Sequence, residues 1–247
     1  MYKWLSVLSM VVAAQAAAEP VIIPAGEYKP AVLLDETVEV VVMPAFKLDA
    51  APVTYAQYLE FVSENEKWQR DNIAAIFHDG NYLKSWPGNE ELPAGFESKA
   101  VTQVSWFAAR AYCDAQSGRL PTLDEWEYAS NYYLQQQNLS DKEYAQMLFA
   151  RNSNPTAYSK QDVDANIEHL EYMHNRVNEW VEDYQLLLTN GDNNDLLAGS
   201  CGDSARFMAD FGDASYATFF RYQSRSNYRP QSTTSTLGFR CAYDMEK

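Results

Sequence analysis

Beyond its first residues the chain lacks any segment approaching the roughly 20 apolar residues of a membrane helix. Positive charge is also scarce, with 19 basic against 34 acidic residues and a net charge of −15. Such a surface repels nucleic acid and anionic lipid, which excludes binders of either. Histidine is limited to His78, His169 and His174, and no two form an H-x-x-x-H or H-E-x-x-H pair. Haem, zinc and mononuclear-iron centres are hard to build from these three alone. A G-x-S-x-G elbow and a phosphate-binding loop are both missing, so hydrolase and nucleotide readings fail too.

The N-terminus, "MYKWLSVLSMVVAAQAAAEP", carries one early lysine and then an apolar run from Trp4 to about Ala14. Ala16 and Ala18 follow in an A-x-A pattern before Glu19. This reads as a secretory signal over residues 1–18, too short in its apolar run to span a bilayer. No cysteine stands at the cleavage point to make a lipoprotein. The expectation is a periplasmic or otherwise exported, soluble protein with one domain over 19–247. Three cysteines in such a protein read as one disulfide plus one left over.

Aromatic residues make up 14% of the chain, with 17 tyrosines and 6 tryptophans, which suits an ordered, loop-rich domain. "TVEVVVMPAFKLDAAPVT" alternates apolar residues in two bursts, predicting strands on either side of Pro44. Thr54 with Gln57, and Thr122 with Glu125, read as capping boxes that open helices. Ser105 reads as the N-cap of a helix that ends at Gly118. Residues 81–100 are loop, 131–170 carry little signal, and the segment from Thr189 to Phe239 reads as irregular with small strands. "LGFRCAY" predicts a closing strand.

Four stretches occur in a telling order: "LDAAPVTYAQYLEFV", "AVTQVSWFAARAYCDAQSGRLPTLDEWEYAS", "VNEWVEDY" and "TLGFRCA". Together they resemble the formylglycine-generating, or sulfatase-modifying factor, family. The "WVEDY" variant and the long insertions are most similar to its exported bacterial members, including the NirV type associated with copper nitrite reductases. The resemblance implies a single α+β, C-type-lectin-like domain, rich in loops and poor in regular secondary structure. It also implies a disulfide between Cys113 and Cys241, and a structural role for Arg240.

True formylglycine-generating members oxidise a substrate cysteine with a copper-bound cysteine pair spaced five residues apart. Counting back from "LGFRC" puts that pair at Ala217 and Tyr222 in "ATFFRYQSRSN". Thiolates are the copper ligands and the redox groups, and neither replacement can supply one. The resemblance therefore implies a pseudoenzyme: an exported accessory, maturation or binding protein that generates no formylglycine. The expected partner is an exported protein or peptide, or a small anionic ligand. Arg221, Arg225 and Arg229 would bind its carboxylate or sulfate-like group between Tyr222 and Tyr228. In so acidic a chain, the same arginines have carboxylates of their own to pair with.

The alternative is a divergent oxidoreductase or protein-modifying enzyme that uses Cys201, tyrosines or a bound metal. Cys201 would then be a thiol nucleophile or copper ligand; otherwise it is a small buried residue. The resemblance also implies a calcium site at Glu179, with main-chain oxygens of Asn175 and Val177. Calcium takes six to eight oxygens, and Tyr172 stands where the family has an asparagine ligand.

Overall fold

The computed structural model describes residues 19–29, 40–183 and 228–245. Pro44 does separate two strands, β3 (Val41–Met43) and β4 (Phe46–Leu48), but they enter different sheets. β3 pairs antiparallel with β2 (Gly26–Tyr28). β4 is the centre of a three-stranded antiparallel sheet, between β1 (Val21–Ile23) and β7 (Ala242–Asp244). Proline has no amide to give a ladder, so one apolar run is split into two short strands at that point. The two-residue period then sorts the central sheet. Ile23, Phe46, Leu48 and Ala242 are buried, while Ile22, Lys47 and Tyr243 form one row across the other face.

Each helix starts where a side chain satisfies its first amides. In α1 (Tyr55–Glu64) the Thr54–Gln57 box is reciprocal, and Tyr55, Tyr58, Phe61 and Val62 are buried. Ser105 accepts from the Ala108 amide at the start of α2 (Trp106–Ala115). Thr122 and Glu125 form the same box at α3 (Leu123–Gln136). The end of α2 differs from expectation. Ser117 takes the left-handed conformation, with φ of 60°, while the Gly118 amide bonds back to the Cys113 carbonyl at 2.8 Å. Glycine is needed at 118 for space: a Cβ there would lie 2.7 Å from the Tyr243 ring and 2.8 Å from the Ala242 carbonyl.

The weakly patterned stretch holds α4 (Asp141–Ser153) and α5 (Pro155–Ser159). Ser140 and Glu143 form a third capping box, and Pro155 occupies the first position of α5. The expected closing strand is interrupted. β6 (Leu237–Gly238) pairs in parallel with β5 (Asn178–Glu179), and β7 follows only after Phe239–Cys241. The interruption turns Arg240 fully inward and carries Cys241 to Cys113 in a disulfide with Cα atoms 5.5 Å apart. Among the described residues, no helix is long and apolar enough to cross a membrane.

Candidate functional site

A buried ion pair forms the floor on which the loops rest. Arg240 Nε and Nη2 donate to the two Glu179 oxygens at 2.8 and 2.9 Å, with both side chains fully enclosed. The other guanidinium hydrogens reach the carbonyls of Asp49, Ala50 and Glu171 at 3.1–3.2 Å. All five donors of the arginine are thus used. Glu179 also accepts from the Trp126 indole at 2.7 Å.

These contacts bear directly on calcium. Both Glu179 oxygens already face donors, one of them a cation, and nearby Asn175 gives its carbonyl and side-chain oxygens to Arg176 at 2.9 and 3.1 Å. Val177 is buried against Ala51, Ala100 and Val163. Calcium does not fit this arrangement, because its six to eight oxygens would have to displace a guanidinium. The described residues hold no group of three or more His, Cys, Asp or Glu side chains able to bind a metal ion.

Trp106, at the start of α2, gathers two distant parts of the chain. Its indole donates to the Val181 carbonyl at 2.9 Å, and its amide to the Pro230 carbonyl at 3.0 Å. Half-buried Tyr228 packs edge-on against Trp180, with ring centroids 6.0 Å apart, and Trp180 donates to the Val104 carbonyl. Asp79 anchors the returning chain by accepting from the Thr233 amide and hydroxyl. Although burial opposes it, bonds from Thr233 and Asn81 hold the Asp79 carboxyl below its usual range. Arg229 is exposed beside this anchor. Cys201, Ala217, Arg221, Tyr222 and Arg225 lie outside the described residues, as do 1–18. Of the expected ligand-binding set, Tyr228 is placed against the aromatic core.

The sequence gives no sign of the concavity beside the central sheet. A groove of about 510 Å³ runs over the outward face of the central sheet, lined by Lys47, Asp49, Tyr112, Gln116 and Tyr243 among others. Asp49 accepts from the Cys241 amide at 2.9 Å and the Tyr243 hydroxyl at 3.1 Å. Burial raises its carboxyl to about 6, despite those bonds and the nearby Arg240. Burial likewise raises the hydroxyls of Tyr112 and Tyr243, with Asp49 adding its charge. Sequence alone signals none of this, since an aspartate after a strand is ordinary. Only the return of β7 brings its partners to it. Arg119 has a clearer trace, because its partner Glu125 is already marked by the capping box; the two bond at 2.6 and 2.7 Å.

Residues 8–245 match the sulfatase-modifying factor enzyme 1-like domain. The chain belongs to that family. The match begins inside the stretch read as an export signal. Three curated relatives of this sulfatase-modifying factor-like chain indicate its range. It is 26% identical over 220 residues to the serine/threonine-protein kinase pkn1 of Chlamydia caviae, covering 84% of this chain and 34% of that protein. The Chlamydia trachomatis kinase Pkn1 is also 26% identical, over 217 residues, with 83% and 34% covered. The hercynine oxygenase of Mycobacterium tuberculosis is 31% identical over 106 residues, 36% of this chain and 24% of that one. The chain thus spans about a third or less of the length of these relatives. Among solved structures, CarF has a TM-score of 0.46 at 16% identity, covering 93% of this chain and 99% of its own. PvdO from Pseudomonas aeruginosa has a TM-score of 0.43 at 16% identity, with 92% and 95% covered.

A copper centre of the two-thiolate type asks more than this family member offers. The sequence has three cysteines, and Cys113 and Cys241 are joined to each other. Cys201 is the single thiol remaining.

Proposed function

We propose that this protein is an exported accessory or binding protein on a sulfatase-modifying factor scaffold, and that it generates no formylglycine. The observation that carries the reading is the cysteine inventory: with Cys113 and Cys241 in a disulfide, one thiol is left for chemistry that needs two. Ala217 and Tyr222 stand at the positions of the missing pair. A fold whose loops make the site retains its frame when the nucleophiles go. The stretch "ATFFRYQSRSN" would then serve to hold an exported partner's segment or a small anionic ligand, with Arg221 and Arg225 offering bidentate contacts.

A second reading has support in the hercynine oxygenase relative, an enzyme by name. In it, Cys201 or a bound metal would replace the lost pair. One experiment separates the two. Purified protein is incubated with copper, a thiol reductant and a peptide containing C-x-P-x-R, and the peptide is examined by mass spectrometry beside metal analysis of the protein. We expect no conversion of the peptide and no stoichiometric copper. Multiple turnover overturns the proposal outright. Stoichiometric copper that disappears in Cys201→Ser would transfer the case to the enzymatic reading.

A further inference from the structure

The larger of the two grooves lies between β2 and the exposed side of α3, with a volume of about 880 Å³. That size is within the range of about 300–1,000 Å³ typical of small-molecule sites. The face of α3 that lines it has a repeating chemistry. Tyr128 and Tyr132 are one helical turn apart, as are Asn131 and Gln135, and Asn138 lines the groove just past the helix end. Such spacings put side chains next to one another on one side of a helix. The opposite side buries Trp126, Ala129, Ser130 and Tyr133. Rings and planar amides therefore form one continuous strip.

The rings are held before any ligand arrives. The Tyr128 hydroxyl donates to the Pro24 carbonyl at 3.0 Å, and the Tyr28 hydroxyl donates to Asp124 at 2.5 Å. The two ring centroids are 5.8 Å apart at 49°. Gly26 makes this possible, because a Cβ there would collide with the Tyr128 hydroxyl. Asn131, Gln135 and Asn138 are exposed. Of the lining residues only Glu27 and Lys29 are charged, and they cancel in a chain whose net charge is −15.

We infer that this groove is a binding site for a neutral carbohydrate, presented as a short run of linked sugars. Each amide offers two donors and an acceptor, which matches hydroxyl groups that both give and take hydrogen bonds. The electron-rich ring faces suit the weakly positive C–H faces of a sugar ring. Fixed tyrosines lower the ordering cost of binding, and flanking amides adapt to the ligand's hydroxyl pattern. A charged ligand gains little from a lining without net charge, and an apolar one leaves the amides unused.

The test titrates the intact protein, observed by NMR, with neutral hexasaccharides: malto-, cello-, xylo-, manno- and chitohexaose. An anionic oligogalacturonate and a neutral Gly/Ser/Tyr peptide serve as comparisons. At least one neutral hexasaccharide should bind with a Kd below about 1 mM. Tyr132→Ala and the double variant Asn131→Ala/Gln135→Ala should each weaken it at least tenfold. These residues are exposed or half-buried, so unchanged thermal melting confirms that the fold is retained. A melting temperature lowered together with binding is resolved by the conservative Tyr132→Phe, which should bind as well as the native protein. No binding by any hexasaccharide, binding that survives the double variant, or preference for the oligogalacturonate or the peptide overturns the inference.

Discussion

Replacing Glu179 by glutamine changes the size of the side chain hardly at all, which isolates the value of its charge. One Glu179 oxygen receives both the Trp126 indole and Arg240 Nε, and the other receives Arg240 Nη2. An amide supplies an acceptor at only one of those places and must point its NH₂ at a donor in the other. Arg240 cannot shed its proton to escape, so a fully enclosed cation is left without its counter-charge. Removing one member of such a pair costs about 3–5 kcal/mol. In a domain of this size, each kcal/mol lowers the melting temperature by about 2–4 °C, so Glu179→Gln should lose about 6–20 °C. The assay is thermal unfolding followed by circular dichroism, repeated with EDTA and with added calcium. Neither should alter the native protein or the variant. Replacing both partners, as Glu179→Leu with Arg240→Met, should recover most of the loss. A loss below about 1 kcal/mol would refute the buried-pair account. A native protein that EDTA destabilises and calcium restores, beside a variant indifferent to both, would make Glu179 a calcium ligand instead.

Non-reducing peptide mapping should recover Cys113 linked to Cys241, and Cys113→Ser with Cys241→Ser should cost about 5 kcal/mol, since the bond closes a loop 128 residues apart; a map linking Cys201 to either partner refutes the pairing. Asp49 sets a pH dependence of defined sign. Its folded pKa, raised to about 6, exceeds the unfolded value, so its stabilisation is complete below about pH 4 and is lost as the pH rises through 6. Chemical denaturation from pH 4 to 8 should show up to about 3 kcal/mol of this decline, absent in Asp49→Asn; parallel profiles for the two proteins would remove Asp49 as the cause. Gly118→Ala should cost about 1–3 kcal/mol, because the added methyl meets the Ala242 carbonyl as well as the Tyr243 ring; an unchanged denaturation midpoint would show that β7 can move away.

What the sequence discloses about this fold depends on whether a signal is local. Thr54, Ser105 and Thr122 each act on an amide three residues away, so their helices are legible from the chain alone. The Ser140–Glu143 box is equally local, but α4 buries few apolar side chains, chiefly Tyr144, Ala145 and Leu148, and its pattern is too thin to stand out. Gly118 shows a different failure. Its position after α2 suggests a left-handed cap, yet the constraint comes from Tyr243, more than a hundred residues later. The same holds for Asp49, whose partners are Cys241 and Tyr243. The Trp126–Glu179–Arg240 cluster draws on α3, β5 and the break before β7, so only the assembled fold shows that Glu179 faces a cation. The family motif points to calcium at Glu179 and carries no information on where Arg240 points.

Trp106 binds the chain on either side of residues 184–227, through Val181 and Pro230, so departure and return share one post. A segment whose two ends are already tied together can change length at little cost to the frame. Closing a longer excursion adds only about 0.6 kcal/mol for each doubling. The arrangement gives this part of the chain a licence to diverge. The two bonds of Trp106, the enclosed Arg240 and the disulfide all lie outside the stretch that such changes would alter. Within such a scaffold, new specificities can arise by exchanging one excursion for another, much as a tool handle accepts different heads.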